Sequence, residues 1–326
     1  MYRIAFLFFV ALSFSFSCRF SREPSLNQKI LLGEQLFYSP ILGDDEDISC
    51  ASCHKAEWAF GDNVPTSQGA KGYSTIRNSP GLFNLTRRAP YLSEGGVNTL
   101  EEVIIAPLHD TLEMASNIGR VVRRMWQDTT WLRRWFENWD SLPSPATITR
   151  SLASYLRTLK SESSRADRYY RGNNQALNVA EIRGALVFAS EKSGCTKCHF
   201  GPDLTDNLFH NVGVNVSGKD QGRYRLTFKN EDKGKFKTPT LRNLRFTAPY
   251  MHDGSLTTLE SVLDHYMHEG HPFSENDEIQ KPIYLTKSQK SDLISFLMAM
   301  SDSDFVEHYV RREKELLTWS SIKNRN

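Results

Sequence analysis

Two short stretches, Cys50-Ala51-Ser52-Cys53-His54 and Cys195-Thr196-Lys197-Cys198-His199, constrain this chain more than any other feature. Each places two thiols three positions apart, with an imidazole directly after the second. That spacing is the attachment signature of c-type haem: the thiols add across the two vinyl groups, and the adjoining histidine reaches the iron from the side on which those links pin the ring. A redox dithiol, or half of a tetrahedral zinc site, would use the same cysteine pair. Here the pairs lie far apart in the chain and each has its own trailing histidine, which favours two covalent haems over one shared metal. The fold must therefore wrap two flat apolar rings.

Of the 5 cysteines, four belong to these motifs and the fifth is Cys18, so no pair is left for a disulfide. A chain of 326 residues is long enough for two domains of ordinary size. Its formal charge of +2 gives no basic excess of the kind nucleic-acid binding uses, so nucleic acid is not an expected partner. The chain begins Met1-Tyr2-Arg3 and continues with an apolar run from Ile4 to Phe16, too short for a comfortable membrane span. A basic residue, a short hydrophobic core and small residues before a cut site describe a secretory signal over 1–17. Cys18 then stands where a bacterial lipoprotein is cleaved and lipidated, although Ser15 occupies the place of the usual leucine. Ordinary signal-peptidase cleavage nearby is the alternative. Either route delivers the chain to the periplasm, free or held at the outer membrane by a lipid anchor on Cys18, and bacteria attach haem covalently outside the cytoplasm.

Residues 18–26 read as a polar tether, 27–170 as a first haem domain, 171–300 as a second, and 301–326 as a charged tail packing back on the first. Ile30, Leu31, Leu36 and Phe37 predict a helix over 28–37 beside the first haem. Ile148, Leu152, Tyr155, Leu156 and Leu159 recur at one-face helical spacing, with Ser144 as N-cap. A helix over 179–190 leads into the second haem motif, mirroring the first. Thr286, with Gln289 three residues on, forms a capping box for a helix whose buried face is Leu293, Phe296, Leu297 and Met300. Trp126, Trp131, Trp135 and Trp139 crowd one segment and are expected to be core and haem-edge packing. The polar stretch 161–178 is the expected domain boundary. No run alternates as an extended sheet would. The expected fold is mainly α: two cytochrome c-like haem domains with long loops.

The two halves repeat each other. Ala89-Pro90-Tyr91 and Thr99-Leu100-Glu101 are answered by Ala248-Pro249-Tyr250 and Thr258-Leu259-Glu260 at a constant offset of 159, with Gly95 matching Gly254. Upstream, Thr75-Ile76-Arg77-Asn78 is expected to answer Thr240-Leu241-Arg242-Asn243 after a small insertion. An internal duplication follows, with one haem and one covering loop-helix unit per half. The copies differ at one chemically telling position, where Tyr266 in the second half answers Pro107 in the first. A tyrosine oxygen can ligate haem iron and proline cannot. If that position faces the ring in both halves, Tyr266 closes the second iron and the first is left open. An open iron can bind peroxide; a closed one can only pass electrons. Met267 and His265 are the alternative ligands, and Tyr266 is then a core aromatic. Glu113 follows Pro107 by six residues. Peroxide cleavage needs a group that removes a proton from one oxygen and returns it to the leaving one. A carboxylate beside an open iron suits that job, whereas by itself such a glutamate reads as a solvated surface group.

These residues resemble the bacterial dihaem cytochrome c peroxidases and the related MauG-type enzymes, from about Gln28 to Ser301. The likeness is carried by Cys50–His54 leading to Ala59-Phe60, Arg77-Asn78-Ser79-Pro80, Leu100-Glu101-Glu102, Glu113-Met114, Phe209–Val214 and Phe236–Asn243. Its most specific part is Ala248-Pro249-Tyr250-Met251-His252-Asp253-Gly254-Ser255. The resemblance implies two covalent haem c groups: a peroxidatic one on Cys50, Cys53 and His54, and an electron-transfer one on Cys195, Cys198, His199 and Tyr266. It implies Glu113 as the catalytic acid/base working beside the His54 iron. It also implies one calcium ion between the domains, bound by the side chain of Asn78 and the carbonyls of Thr247 and Pro249, hard oxygen donors of the kind Ca²⁺ prefers. The implied reaction reduces hydrogen peroxide to water with electrons from a small c-type cytochrome or similar donor. The alternatives are a MauG-type enzyme oxidising a residue on a partner protein, and a dihaem electron carrier with no chemistry of its own. Family members are often homodimers, which makes a second copy of the chain another implied partner.

Three departures from the family pattern matter. The displaceable distal histidine of many such peroxidases would fall near Ala70, yet Gln68 to Ile76 holds no histidine. The first haem is therefore expected to need no reductive activation. The tryptophan between the haems falls on Ser93, with Trp58 as a speculative substitute. Finally, Tyr266 replaces the methionine ligand of typical peroxidases, as in the MauG-type branch.

Overall fold

The computed structural model describes residues 24–139, 141–214, 220–267 and 282–323, so the leader and Cys18 lie outside the described residues. Helices run in the order α1 (Leu26–Phe37), α2 (Cys50–Cys53), α3 (Leu100–His109), α4 (Ile118–Gln127), α5 (Thr129–Trp139) and α6 (Pro145–Leu156). They continue with α7 (Arg165–Tyr170), α8 (Val179–Ala189), α9 (Tyr224–Thr227), α10 (Leu259–Met267), α11 (Lys287–Ala299) and α12 (Ser303–Lys323). Among the described residues, sheet structure is one antiparallel pair of two-residue strands, β1 (Phe209–His210) and β2 (Phe236–Lys237). The fold is mainly α, as the absence of alternating runs implied. Helix starts are fixed locally: Ser25, Ser144 and Thr286 each form a capping box that gives orphan N–H groups a side-chain oxygen.

Two helix pairs build the cores, α1 on α6 and α8 on α11. At each crossing a glycine lets the backbones touch. A Cβ on Gly33 would lie 1.9 Å from Ser151 O, and one on Gly184 would lie 1.9 Å from Asp292 O. Around these contacts the one-face apolar residues interlock. Leu32, Leu36, Phe37, Ile148, Leu152 and Tyr155 are buried in the first core, and Phe188, Leu263, Leu293, Phe296 and Leu297 in the second. Trp131, Trp135 and Trp139 join the first core, but Trp126 is 49% exposed on the outer face of α4, its Nε1 donating to Pro143 O. α12 runs back over the first core. Phe305 and Val306 are buried there, the Tyr309 ring lies 5.2 Å from that of Phe60, and Arg312 grips Glu34 at 2.9 and 2.7 Å.

The polar stretch 161–178 opens on a buried turn whose backbone groups are paired. Asn84 Nδ2 donates to Ser161 O and Ser161 N–H to Asn84 Oδ1, both at 2.9 Å, while Ser163 N–H reaches Asp302 at 2.8 Å. Such pairing is what makes a buried polar turn tolerable.

The same local geometry occurs twice at the offset of 159. Tyr91 OH donates to Leu85 O and Tyr250 OH to Leu244 O, each at 2.8 Å. Tyr91 bridges Val97 as Tyr250 bridges Leu256. Asn84 and Asn243 take left-handed φ values of 53° and 62°, and both side chains reach the Ser161–Asp302 turn region. This geometry corrects the expected upstream register. Asn243 answers Asn84 and not Asn78, so the offset of 159 already holds there, and the extra residues of the second half lie between its haem motif, only 145 from the first, and that point. The matching Thr, Arg and Asn letters misled, because backbone conformation decides the equivalence. Two reciprocal bonds then close the seam between the halves: Asn78 N–H donates to His252 O at 2.8 Å and Lys237 N–H to Ser93 O at 2.7 Å.

Candidate active site

α2 is a single turn that presents Cys50 and Cys53, and the chain leaves it at His54. His54 Nδ1 lies 2.8 Å from Phe60 O, and His199 Nδ1 lies 2.9 Å from Leu204 O. A carbonyl can only accept, so Nδ1 is the protonated nitrogen in both rings and Nε2 keeps its lone pair. That is the tautomer an iron-binding imidazole needs. Burial holds both rings below the usual histidine range, opposed by the Phe60 and Pro80 carbonyls at His54 and by the Leu204 and Pro239 carbonyls at His199. Pro80 and Pro239 are again 159 apart.

Burial also pushes the Cys50 thiol up to about 12 and the Cys53 thiol up to about 11. Cys198, Asp206 and His210 do bring ligand atoms within 4.8 Å of one another. However, His210 Nε2 already bonds Asp206 at 2.8 Å, and a thioether on Cys198 would remove the thiolate from that set. The donor chemistry of both motifs fits covalent haem.

Two further segments, 68–70 and 111–114, gather beside Cys53. Its Sγ lies 3.7 Å from Gln68 O. The next residues, Gly69 and Ala70, rest on the turn that bears Glu113: Ala70 N–H donates to Glu113 O at 2.6 Å, and a Cβ on Gly69 would lie 1.8 Å from Leu112 O. Glu113 sits just past α3 on the turn 111–114, which is held by Asp110 Oδ1 accepting from Leu112 N–H and by Pro107 O accepting from Met114 N–H. Its carboxyl is half-buried. Burial, with the charges of Asp110 and Glu94 adding, pushes it up to about 7 against the pull of Arg77. Arg77 is itself paired with Glu94 and clamped by Asp220 at 2.7 and 3.0 Å. Cys53 feels the Glu113 charge, so the carboxyl and the attachment thiol are neighbours. The sequence reading singled out Glu113 but missed Glu94, Asp110 and Asp220. Only Arg77, inside a quoted motif, carried a signal, because its partners meet it through the fold.

Tyr266 lies on the last turn of α10, as Pro107 lies near the end of α3. Its phenol is raised above the usual tyrosine range by burial first and then by the Cys198 and Cys195 thiols, which places it beside the second attachment motif. His265 is turned elsewhere, with Nε2 2.6 Å from Val212 O. At the seam, Asn78 Nδ2 donates to Val64 O and Pro65 O at 3.0 and 3.3 Å. Gly254 packs on Pro65, where a Cβ would lie 2.5 Å from Pro65 Cα. Asn78 thus touches the segment 247–254 that includes Thr247 and Pro249. Ser93 faces Lys237, whereas the turn bearing Trp58 packs under α12.

A family model described as di-haem cytochrome c peroxidase matches residues 27–175. The cytochrome-c peroxidase IdrP1 of Pseudomonas sp. (strain SCT) is 31% identical over 323 residues, covering 88% of this chain and 84% of that protein. The methylamine utilization protein MauG of Methylorubrum extorquens is 32% identical over 280 residues, covering 84% of this chain and 78% of that one. Among solved structures, a MauG-like protein associated with microbial copper homeostasis aligns with a TM-score of 0.77 at 30% identity, covering 88% of this chain and 95% of that chain. With paired attachment motifs on two helical cores and these relatives, the chain belongs to the dihaem cytochrome c peroxidase and MauG family.

Proposed function

We propose that this protein is a periplasm-facing dihaem peroxidase that reduces hydrogen peroxide to two waters, taking two electrons from a small c-type cytochrome or similar donor and two protons from solvent. The observation that carries this reading is the half-buried Glu113 carboxyl beside Cys53, poised at about 7 by burial, Asp110 and Glu94. When bound, the haems supply the one-electron redox chemistry. Cys50 and Cys53 would attach the first with His54 as ligand; Cys195 and Cys198 would attach the second, with His199 and Tyr266. The Phe60 and Leu204 carbonyls hold the two histidines in register. Pro107 and the small Ala70 bring no donor atom to the first site, which leaves room for peroxide. Ionised Glu113 takes the proton from one peroxide oxygen and, once protonated, returns it to the oxygen that leaves. A group titrating near working pH can do both.

Asn78, Thr247 and Pro249 would hold one calcium ion at the seam through oxygen atoms. The leader and Cys18 support an exported chain with a lipid anchor. Among the described residues, no helix is long and apolar enough to cross a membrane. Tyr266 beside Cys195 and Cys198 favours, as second reading, a MauG-type enzyme that oxidises a residue on a partner protein. Steady-state oxidation of reduced cytochrome c by peroxide separates the two. Sustained turnover is expected; slow turnover with a long-lived oxidised state would shift the assignment to the second reading. Two six-coordinate low-spin haems inert to peroxide would leave only an electron carrier.

A further inference from the structure

We infer that Lys237 is a tethered cation: at the seam its ammonium stands where the repeat-related place takes a free metal ion, so the chain has two equivalent cation positions and needs one ion. This rests on the calcium reading of Asn78, Thr247 and Pro249. With the register set by the structure, Asn78 answers Lys237, Thr247 answers Arg88, Pro249 answers Pro90 and His252 answers Ser93, all at the offset of 159. The backbone bonds agree, since Asn78 N–H on His252 O and Lys237 N–H on Ser93 O are the same bond made twice, once from each half.

What differs is the side chain each half sends across. Lys237 Nζ donates to Arg88 O, the counterpart of Thr247 O. A lysine there brings its own positive charge to the carbonyl. Asn78 at the equivalent place is shorter and neutral, and its amide oxygen can only join Thr247 O and Pro249 O as a further hard donor, a set completed by a divalent cation and water. Placing the charge has a cost, since burial and the nearby Arg88 guanidinium lower the Lys237 pKa to about 7 while Asp206 opposes them. Bonding of the charged form to the Arg88 carbonyl works in the same direction as Asp206. The Arg88 guanidinium has its own acceptors, donating to Gly81 O and Phe83 O at 3.1 Å each.

The test counts calcium on the full-length holoprotein by titration calorimetry and elemental analysis after exhaustive dialysis against chelator. Wild type is expected to bind one ion per chain. Lys237→Asn recreates the Asn78 arrangement in the other half and should bind two. Asn78→Lys should bind none, yet keep in EGTA the melting temperature that wild type shows only with calcium. A Lys237→Asn protein that still binds one ion, or an Asn78→Lys protein that melts as early in EGTA as stripped wild type, overturns the inference and leaves the calcium reading standing. Wild type that binds none removes the calcium reading and the inference together.

Discussion

Replacing Glu113 by glutamine is expected to pull stability and activity in opposite directions. The carboxyl is carried from 4.5 to about 7, mainly by burial. A raised carboxyl pKa means the folded chain keeps a proton that the unfolded chain releases. Folding is therefore weakened as pH rises between 4.5 and about 7, and the loss is complete above that window. At about 1.4 kcal/mol for each tenfold change, the ceiling is about 3 kcal/mol. The solvent contact that the half-buried group keeps brings it to roughly 2 kcal/mol. Glutamine has no charge to bury, so Glu113→Gln is expected to exceed wild type by roughly 2 kcal/mol at pH 8 and by almost nothing at pH 4. The rate moves the other way. Wild-type kcat/KM should rise as Glu113 ionises near pH 7, and the variant should lose about 10²- to 10⁴-fold together with that limb of the profile. Denaturant melts at both pH values, alongside peroxide turnover at matched haem content, measure both quantities. An equal stability change at the two pH values, or an unaltered pH–rate profile, would refute the reasoning.

The resting ferric protein should show one high-spin haem by EPR, because neither Pro107 nor Ala70 offers a ligand; low-spin signals alone would contradict this. Tyr266→Phe should keep the high-spin signal and alter the other, and an unchanged spectrum would move ligation to Met267. Removing calcium with EGTA should lower both melting temperature and turnover, with recovery on adding calcium back; indifference to chelator would exclude the ion. Gly184→Ala places a methyl group 1.9 Å from Asp292 O. Prising α8 from α11 should cost about 1–3 kcal/mol in a denaturant melt, and an unmoved midpoint would show that the crossing has slack.

What could be read from the sequence was whatever depends on neighbours in the chain. The Thr286–Gln289 capping box and the one-face pattern are local: the box forms, and the pattern read from Ile148 to Leu159 is helical as far as Leu156, with Leu159 buried just beyond. The repeat register failed upstream because it is a property of conformation: Asn84 and Asn243 share a left-handed backbone that no letter match displays. Glu113 was singled out by its place in the repeat and by the family resemblance, but its raised pKa comes from burial first and then from Asp110 and Glu94, opposed by Arg77, and the folded loops set the burial and bring Glu94 and Arg77 to it. Trp126 shares the composition of its segment yet lies on the outward face, since helical phase, and not residue type, decides which tryptophan is covered.

The helix α12 lies over Phe60, whose carbonyl orients His54. Phe305 and Tyr309 press on the Phe60 ring from the far end of the chain. Loss of the distant C-terminal helix would therefore be felt as a loosened His54 near the opposite end of the polypeptide.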